Sequence, residues 1–388
     1  MKRLLSLLLT AALLASLTAC KKENTPALET TEPTTAASPT IVGKAVALCL
    51  PAQEEPWTTY GTALMAQLES QGHEAEVLYA QNDAWEQARQ ITAAAEAGTS
   101  CMVLVPVDAL ALSDALREAA KAGMKVLTLN RQMSDSRDVT AAVSFDYEQM
   151  GKTMANQIVQ AKDLENAGKK KYTIEFLMGS TDDHRAILLH KGLMSVLQTY
   201  LDSGVLVCKT GRTALEDTYV QGWDTAKAKK TCKYYLKSYS DETVDILCAA
   251  SDAIAQGCIE ALEAAGYTEK DWPVITGQGG EAAALRAIAD GKQASTICLD
   301  TAALWTKCAE LVHLLLADSP LPAGDSSDPV PMYFCPVNPV YGPEAVKDLL
   351  PPETPPETTA PPETTTPPET TEPPVTTVPA ETTTPKEH

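Results

Sequence analysis

Beyond its first twenty residues the chain has no apolar run of about 18 residues or more, so nothing after that point reads as a membrane-spanning helix. It has no Cys-x-x-Cys pair, and its five histidines are scattered, which leaves little basis for a zinc site. It is also short of positive charge, with 31 Lys and Arg against 51 Asp and Glu and a formal net charge of -20. The stretch after residue 350 holds seven Glu against one Lys and explains only part of that excess. The remainder is acidic too, which argues against nucleic acid as a partner, because neutralising phosphates takes clustered Lys and Arg. No Gly-x-Ser-x-Gly elbow, Walker-type phosphate loop, His-Glu-x-x-His or dinucleotide fingerprint occurs. Gly277-Gln278-Gly279-Gly280 is glycine-rich but lacks the spacing for a pyrophosphate. No enzyme, no metal and no cofactor are therefore expected.

What is present begins with an address. Lys2 and Arg3 precede an apolar stretch from Leu4 to Leu17, and small residues lead into Cys20. This resembles a bacterial lipoprotein signal, which implies cleavage before Cys20, lipidation of its sulfur, and a mature chain anchored on the extracytoplasmic face of the cell membrane. Residues 1–19 are then a signal peptide and 20–43 a flexible linker of Thr, Pro, Glu, Ala and Ser without apolar periodicity. From Pro351 to His388 the motif Pro-Pro-Glu-Thr recurs, and proline predicts an extended, disordered, polyproline-like tail. A wall-crossing stalk, a glycosylated segment and an inert solvated tail all fit it. Of ten cysteines, nine remain after Cys20, an odd number, and most sit in apolar segments such as Cys49, Cys101, Cys248 and Cys298. They read mainly as small buried hydrophobes with free thiols.

Between the two ends about 300 residues alternate short β-branched runs with amphipathic stretches. Strands are expected at 45–50, 75–79, 102–105, 125–129, 142–145, 173–178, 205–208, 245–249, 273–276 and 295–298. Helices fall between them, for example 84–97 and 109–122, the latter ended by Gly123. The alternation predicts an α/β fold with two parallel sheets covered on both faces. Ligands of such sheets bind beyond the carboxyl ends of the strands. There the chain places Trp57 and Tyr60, Asn130 and Arg131, residues 182–185, Ser251 and Asp252, and Gln278.

The segments Ala47-Leu48-Cys49-Leu50-Pro51 with Trp57, Val103-Leu104-Val105-Pro106-Val107-Asp108, Val126-Leu127-Thr128-Leu129-Asn130-Arg131 and Val143-Ser144-Phe145-Asp146 occur in collinear order. Met178-Gly179-Ser180, Gly222-Trp223, Ala250-Ser251-Asp252-Ala253 and Ile275-Thr276-Gly277-Gln278 continue it. Together they resemble the type I periplasmic sugar-binding proteins, in particular the xylose and multiple-monosaccharide binding proteins of ABC importers. The resemblance implies two Rossmann-like lobes, 44–146 plus 300–331 and 147–299 plus 332–350, joined by three hinge crossovers near Asp146, Leu299 and Met332. It implies a monomer that closes on a monosaccharide or similar small polar ligand and presents the closed form to a membrane permease. Trp57 and Trp223 would be ring-stacking platforms, and Asn130, Arg131, His184, Arg185, Asp252 and Gln278 the polar contacts.

The sequence also departs from that pattern. Pro56 stands where the family has an Arg, His184-Arg185 replaces its Asn-Asn pair, Gly279 replaces an Asp, and Leu299 replaces a Lys. The new His and Arg raise the expectation of an acidic or phosphorylated sugar. A ligand sensor or degenerate receptor of the same fold, and a surface or wall-associated protein acting through its tail, are the alternatives to transport.

Overall fold

The computed structural model describes residues 45–134, 137–326 and 328–350. The signal peptide, the lipidation expected at Cys20, the linker to residue 43 and the tail from 351 lie outside the described residues.

Twelve strands are formed among the described residues, β1 (Val46–Leu50), β2 (Ala75–Tyr79), β3 (Cys101–Leu104), β4 (Lys125–Leu129), β5 (Ala141–Ser144), β6 (Tyr172–Leu177), β7 (Leu206–Val207), β8 (Ile246–Ala249), β9 (Val274–Ile275), β10 (Ser295–Leu299), β11 (Met332–Phe334) and β12 (Val337–Tyr341). The first sheet is six-stranded and parallel, in the order β11-β5-β4-β3-β1-β2. β1 and β3 are apolar along their whole length because helices cover both faces. Val46, Leu48 and Leu50 face one core, with the helices Trp57–Ser70 and Thr301–Leu316; Ala47 and Cys49 face another, with the helices Ala84–Glu96 and Ser113–Lys121. Each such buried Val or Leu side chain contributes about 1.5–3 kcal/mol.

The second sheet runs β7-β6-β8-β9 and is also parallel. β10 continues it irregularly, through Ala294 N to Ile275 O at 2.8 Å and Gly279 N to Ile297 O at 3.0 Å, and pairs antiparallel with β12. β11 and β12 were not anticipated: they are short, follow a Pro-rich stretch, and β12 is an edge strand carrying Pro339. The helix expected from 109 begins at Ser113, because Asp108 Oδ1 accepts from Leu110 N and Ala111 N and holds those residues in a turn.

The chain passes between the sheets three times, and two of the passages are built alike. Asp146 (φ -77°, ψ 83°) and Asp300 (φ -78°, ψ 81°) share one backbone conformation, and each caps the helix that follows. Asp146 Oδ1 accepts from Gln149 N, and Asp300 Oδ1 from Ala303 N. The third passage is not at Met332, which pairs with Ala142 inside the first sheet. It comes at Cys335-Pro336, since proline cannot continue the ladder. Cys335 N donates to Ser144 O, and Asp300 N to Pro336 O, so the three passages run side by side.

Beyond the first passage the helices Tyr147–Lys162 and His184–Asp202 touch through glycine: a Cβ on Gly151 would overlap the Leu189 carbonyl, and one on Gly192 the Glu148 carbonyl. All nine cysteines among the described residues are free, seven of them buried. Burial pushes the thiols of Cys49, Cys101 and Cys248 up to about 12, so they stay neutral and behave as small apolar groups.

Candidate functional site

The carboxyl ends of both sheets face one cleft of about 610 Å³, within the usual range for a small-molecule site. β1, β2, β3 and β4 deliver Glu54 to Trp57, Asn82, Val107, and Asn130 with Arg131. β6, β7, β8 and β9 deliver Ser180 with Asp182, Asp183 and Arg185, then Trp223, Ser251, and Gln278 with Glu281. Six of the eight binding residues expected from sequence, Trp57, Asn130, Arg131, Arg185, Trp223 and Gln278, line this cleft.

Asn130 adopts φ +61°, a conformation asparagine tolerates better than most residues. Ser144 Oγ donates to its carbonyl at 2.8 Å, and the buried Tyr147 hydroxyl to its Oδ1 at 2.7 Å. The next residue, Arg131, lays its guanidinium 4.9 Å from the Trp57 ring centroid and donates to Pro106 O at 3.2 Å. Its Nε is buried without a hydrogen-bond partner; Asp183 Oδ2 lies 3.6 Å away, an ion-pair distance but too far for that bond.

Asp183 organises the opposite wall. It caps the helix His184–Asp202 through Arg185 N, grips the Arg185 guanidinium through both oxygens, and accepts from Trp223 Nε1 at 3.2 Å. Burial alone would raise its pKa, but the two guanidiniums outweigh that and hold the carboxyl down at about 2. Arg185 is raised against the effect of burial by the same contact. Arg131 receives the smaller share of one carboxylate: burial, and then the like charge of Arg185, push it down to about 10. Trp223 takes φ +57°, with Arg185 5.5 Å from its ring centroid, and its indole fills the space over Gly179, where any Cβ would collide with it.

His184 does not reach the cleft. Neighbouring helical residues point about 100° apart, so Arg185 turns in while His184 turns into a separate hollow, its Nδ1 3.1 Å from Ser134 Oγ. Asp252 lies beneath the cleft wall rather than on it. Its oxygens accept from Gly280 N at 2.7 Å, Gln293 Nε2 at 2.8 Å and Thr296 Oγ1 at 2.9 Å, which pins the Gly279-Gly280 loop. The acidic-sugar expectation loses its support: His184 is elsewhere, Arg185 is neutralised by Asp183, and the wall carries more carboxylates than guanidiniums.

Asp183, Glu281, Glu54 and Glu55 were not among the expected binding residues. Asp183 had two signals, its place in the stretch 182–185 beyond a strand end and its position just ahead of an amphipathic run, but the second reads as a helix cap and neither reveals the partner of two arginines. Gln278 sits 7% exposed with Oε1 unpaired. Among the described residues no group of three or more His, Cys, Asp or Glu is arranged to hold a metal, and no helix is long and apolar enough to cross a membrane.

A periplasmic binding protein domain model matches residues 46–319. The multiple sugar-binding periplasmic receptor ChvE of Rhizobium radiobacter is 32% identical over 263 residues, 67% of this chain and 74% of that protein. The multiple sugar-binding periplasmic protein SbpA of Azospirillum brasilense is 31% identical over 290 residues, 74% of this chain and 80% of that protein. Among solved structures, an ABC transporter solute binding protein from Clostridium phytofermentans with bound β-D-glucose superposes with a TM-score of 0.72 at 29% identity, covering 78% of this chain and 95% of that one.

Proposed function

We propose that this chain, which belongs to the type I periplasmic sugar-binding protein family, is the extracytoplasmic receptor of an ABC importer and holds a monosaccharide or similar small polar solute between its two sheets. Its relatives are receptors and binding proteins, and it is not an enzyme.

The observation that carries this reading is a pair of unsatisfied groups on facing walls. Arg131 brings a buried donor without a hydrogen-bond acceptor, and Gln278 a buried acceptor without a donor. Both atoms are shut off from the cleft in this structure, so a hydroxylated ring supplies their complements only as the walls move around it, relieving the about 1–3 kcal/mol that either unpaired group costs. Trp57 and Trp223 offer apolar surface for the C–H faces of a sugar. Contacts to both walls favour a closed arrangement over an open one, and three parallel passages suit a hinge. In this reading the two lobes divide at Asp146, at Leu299-Asp300 and at Cys335-Pro336. Lipidation at Cys20, the tether to residue 43, a monomeric state and docking to a permease complete it.

The test is a thermal-shift screen of the full chain against aldopentoses, aldohexoses, polyols and sugar acids. A ligand at a hundredfold excess over its Kd stabilises by about 2.7 kcal/mol. A shift with a sugar or polyol is expected, and no shift with any compound overturns the reading. For the anchor, Cys20→Ala is expected to release the protein from the membrane fraction, and unchanged retention would refute lipidation there.

A further inference from the structure

Charge is spread unevenly over the molecule. The chain carries a formal net charge of -20, yet from Thr225 to Ser240 it holds five Lys and no Asp or Glu. This stretch is the helix Thr225–Tyr235 and the 3-10 turn Leu236–Tyr239 that prolongs it. Its inner side, with Ala228, Cys232 and Tyr235, packs on β6 and on the helix Asp252–Ala265. Lys227, Lys230, Lys233, Tyr234 and Lys237 are all exposed, and spacings of three, four and seven residues put them on one outer face. Glu260, which also feels Lys233, is held by Lys229, and Glu242 is held by Lys209. Among the described residues Lys227, Lys230, Lys233 and Lys237 form no ion pair.

Tyr234 sets this face apart from an ordinary solvated row of lysines. Its ring is 55% exposed, with the Arg212 guanidinium 5.8 Å and the Lys237 ammonium 5.9 Å from the centroid. The face thus offers an apolar platform among unpaired cations, which suits a ligand that is apolar and anionic by turns. An anionic lipid surface or a phosphate polymer answers the lysines but makes no use of the ring.

The chain itself contains a ligand of the right kind. Residues 351–388 hold twelve Pro and seven Glu against one Lys, largely in Pro-Pro-Glu-Thr repeats. In a polyproline helix, residues three apart share an edge and stand about 9 Å apart, as Glu353 and Pro356 would. A proline laid on Tyr234 therefore carries a glutamate about 9 Å along the face, close to the roughly 10 Å that seven helical residues put between Tyr234 and Lys227. The segment starts after Leu350, which packs against Leu285, Ile288, Val340 and Val346 at the β12 edge of the second sheet, the sheet that carries the basic helix. At about 3.1 Å per residue it reaches roughly 120 Å, far more than the width of a sheet of this size. Exposed ion pairs are weak one by one, but a tether keeps the partner at a high effective concentration.

We propose that residues 351–388 dock back on this face, prolines on Tyr234 and glutamates against Lys227, Lys230, Lys233, Lys237 and Arg212. The tail is then a cover for a basic face of an acidic protein, and docking stays independent of what the cleft binds.

Carbodiimide cross-linking of the full chain tests this, because it joins carboxylates to ammonium groups only where they touch, and mass spectrometry of the digest reads which pairs were joined. At low salt the tail glutamates are expected to join Lys227, Lys230, Lys233 and Lys237 about fivefold more often than Lys169 and Lys171, which are also exposed and form no ion pair among the described residues. High salt is expected to abolish these links. Tyr234→Ala is expected to lower them about threefold at an unchanged melting temperature, since the ring lies at the surface. Absence of tail cross-links, links spread evenly over both sets of lysines, or links unchanged by Tyr234→Ala overturn the proposal. Links found only between copies, in a mixture of isotope-labelled and unlabelled chain, overturn it in favour of a second copy. Their loss on adding phosphatidylglycerol vesicles overturns it in favour of an anionic surface.

Discussion

The two walls of the cleft are built on different principles. The wall from the second sheet is pre-wired: Asp183 ties together a helix start, Arg185 and Trp223, while Asp252 ties the Gly279-Gly280 loop to β10 and Gln293. The wall from the first sheet holds its key cation more loosely. Arg131 has one hydrogen bond to a backbone carbonyl, a ring to lie on and an unpaired Nε. A site that must be both specific and releasable benefits from this division, because a rigid wall costs little ordering on binding and a wall with an open valence leaves something for the ligand to complete.

The sharpest way to break the comparison is at Asp183. Asp183→Ala strands a buried guanidinium and is expected to destabilise the protein by about 3–5 kcal/mol in urea denaturation. Arg131→Ala, on the looser wall, is expected to cost under about 2 kcal/mol. Equal losses would erase the distinction. The pH dependence has a definite sign: with the folded pKa of Asp183 near 2 and the ordinary value 3.8, its contribution is present above about pH 4 and is lost as pH falls through that window toward 2. Asp183→Asn should remove that acid-dependent loss in stability curves taken from pH 5 to 2.

Next in size, Gly192→Ala forces apart the two helices that back the wired wall and is expected to cost about 1–3 kcal/mol of thermal stability. A neutral result would mean the helices can slide without loss. Trp57→Ala should weaken ligand binding about tenfold and, because the ring is also buried in the core beneath the cleft, lower stability as well. The smallest effect is expected at Glu281. With a raised folded pKa its ionised form opposes folding above about pH 7, and that opposition fades as pH falls from 7 toward the ordinary value of 4.5 and is gone below it. In the ligand-free protein Glu281→Gln should therefore gain less than about 1 kcal/mol at pH 8, allowing for solvent screening in the open cleft, and nothing near pH 4.

Much of this architecture is legible in the chain. Ten strands announced themselves because parallel strands covered on both faces must be continuously apolar, as Val46-Ala47-Leu48-Cys49-Leu50 is. The strand-end rule then located Trp57, Asn130, Arg131 and Gln278 without any knowledge of their neighbours. β11 and β12 escaped because three- and five-residue strands flanked by proline carry no period to detect. His184 was assigned to the site as half of a pair, and only the helical rotation between residues 184 and 185 separates them. Asp252 was named for the right loop but the wrong layer, since a sequence does not say which side of a backbone turn a carboxylate supports.

The chain alone, then, determined the alternation of elements, the acidic balance, the edges of the sheets' apolar interiors and the ends at which a ligand could bind, because each of these follows from local periodicity and composition. Tertiary structure decided how the charges are shared. That Asp183 answers a second arginine 52 residues away, and that Asp252 is saturated from below by groups 28 to 44 residues away, depend on distant stretches of chain meeting at distances of a few ångströms. Electrostatic and hydrogen-bond energies change steeply over such distances, and no one-dimensional pattern encodes them.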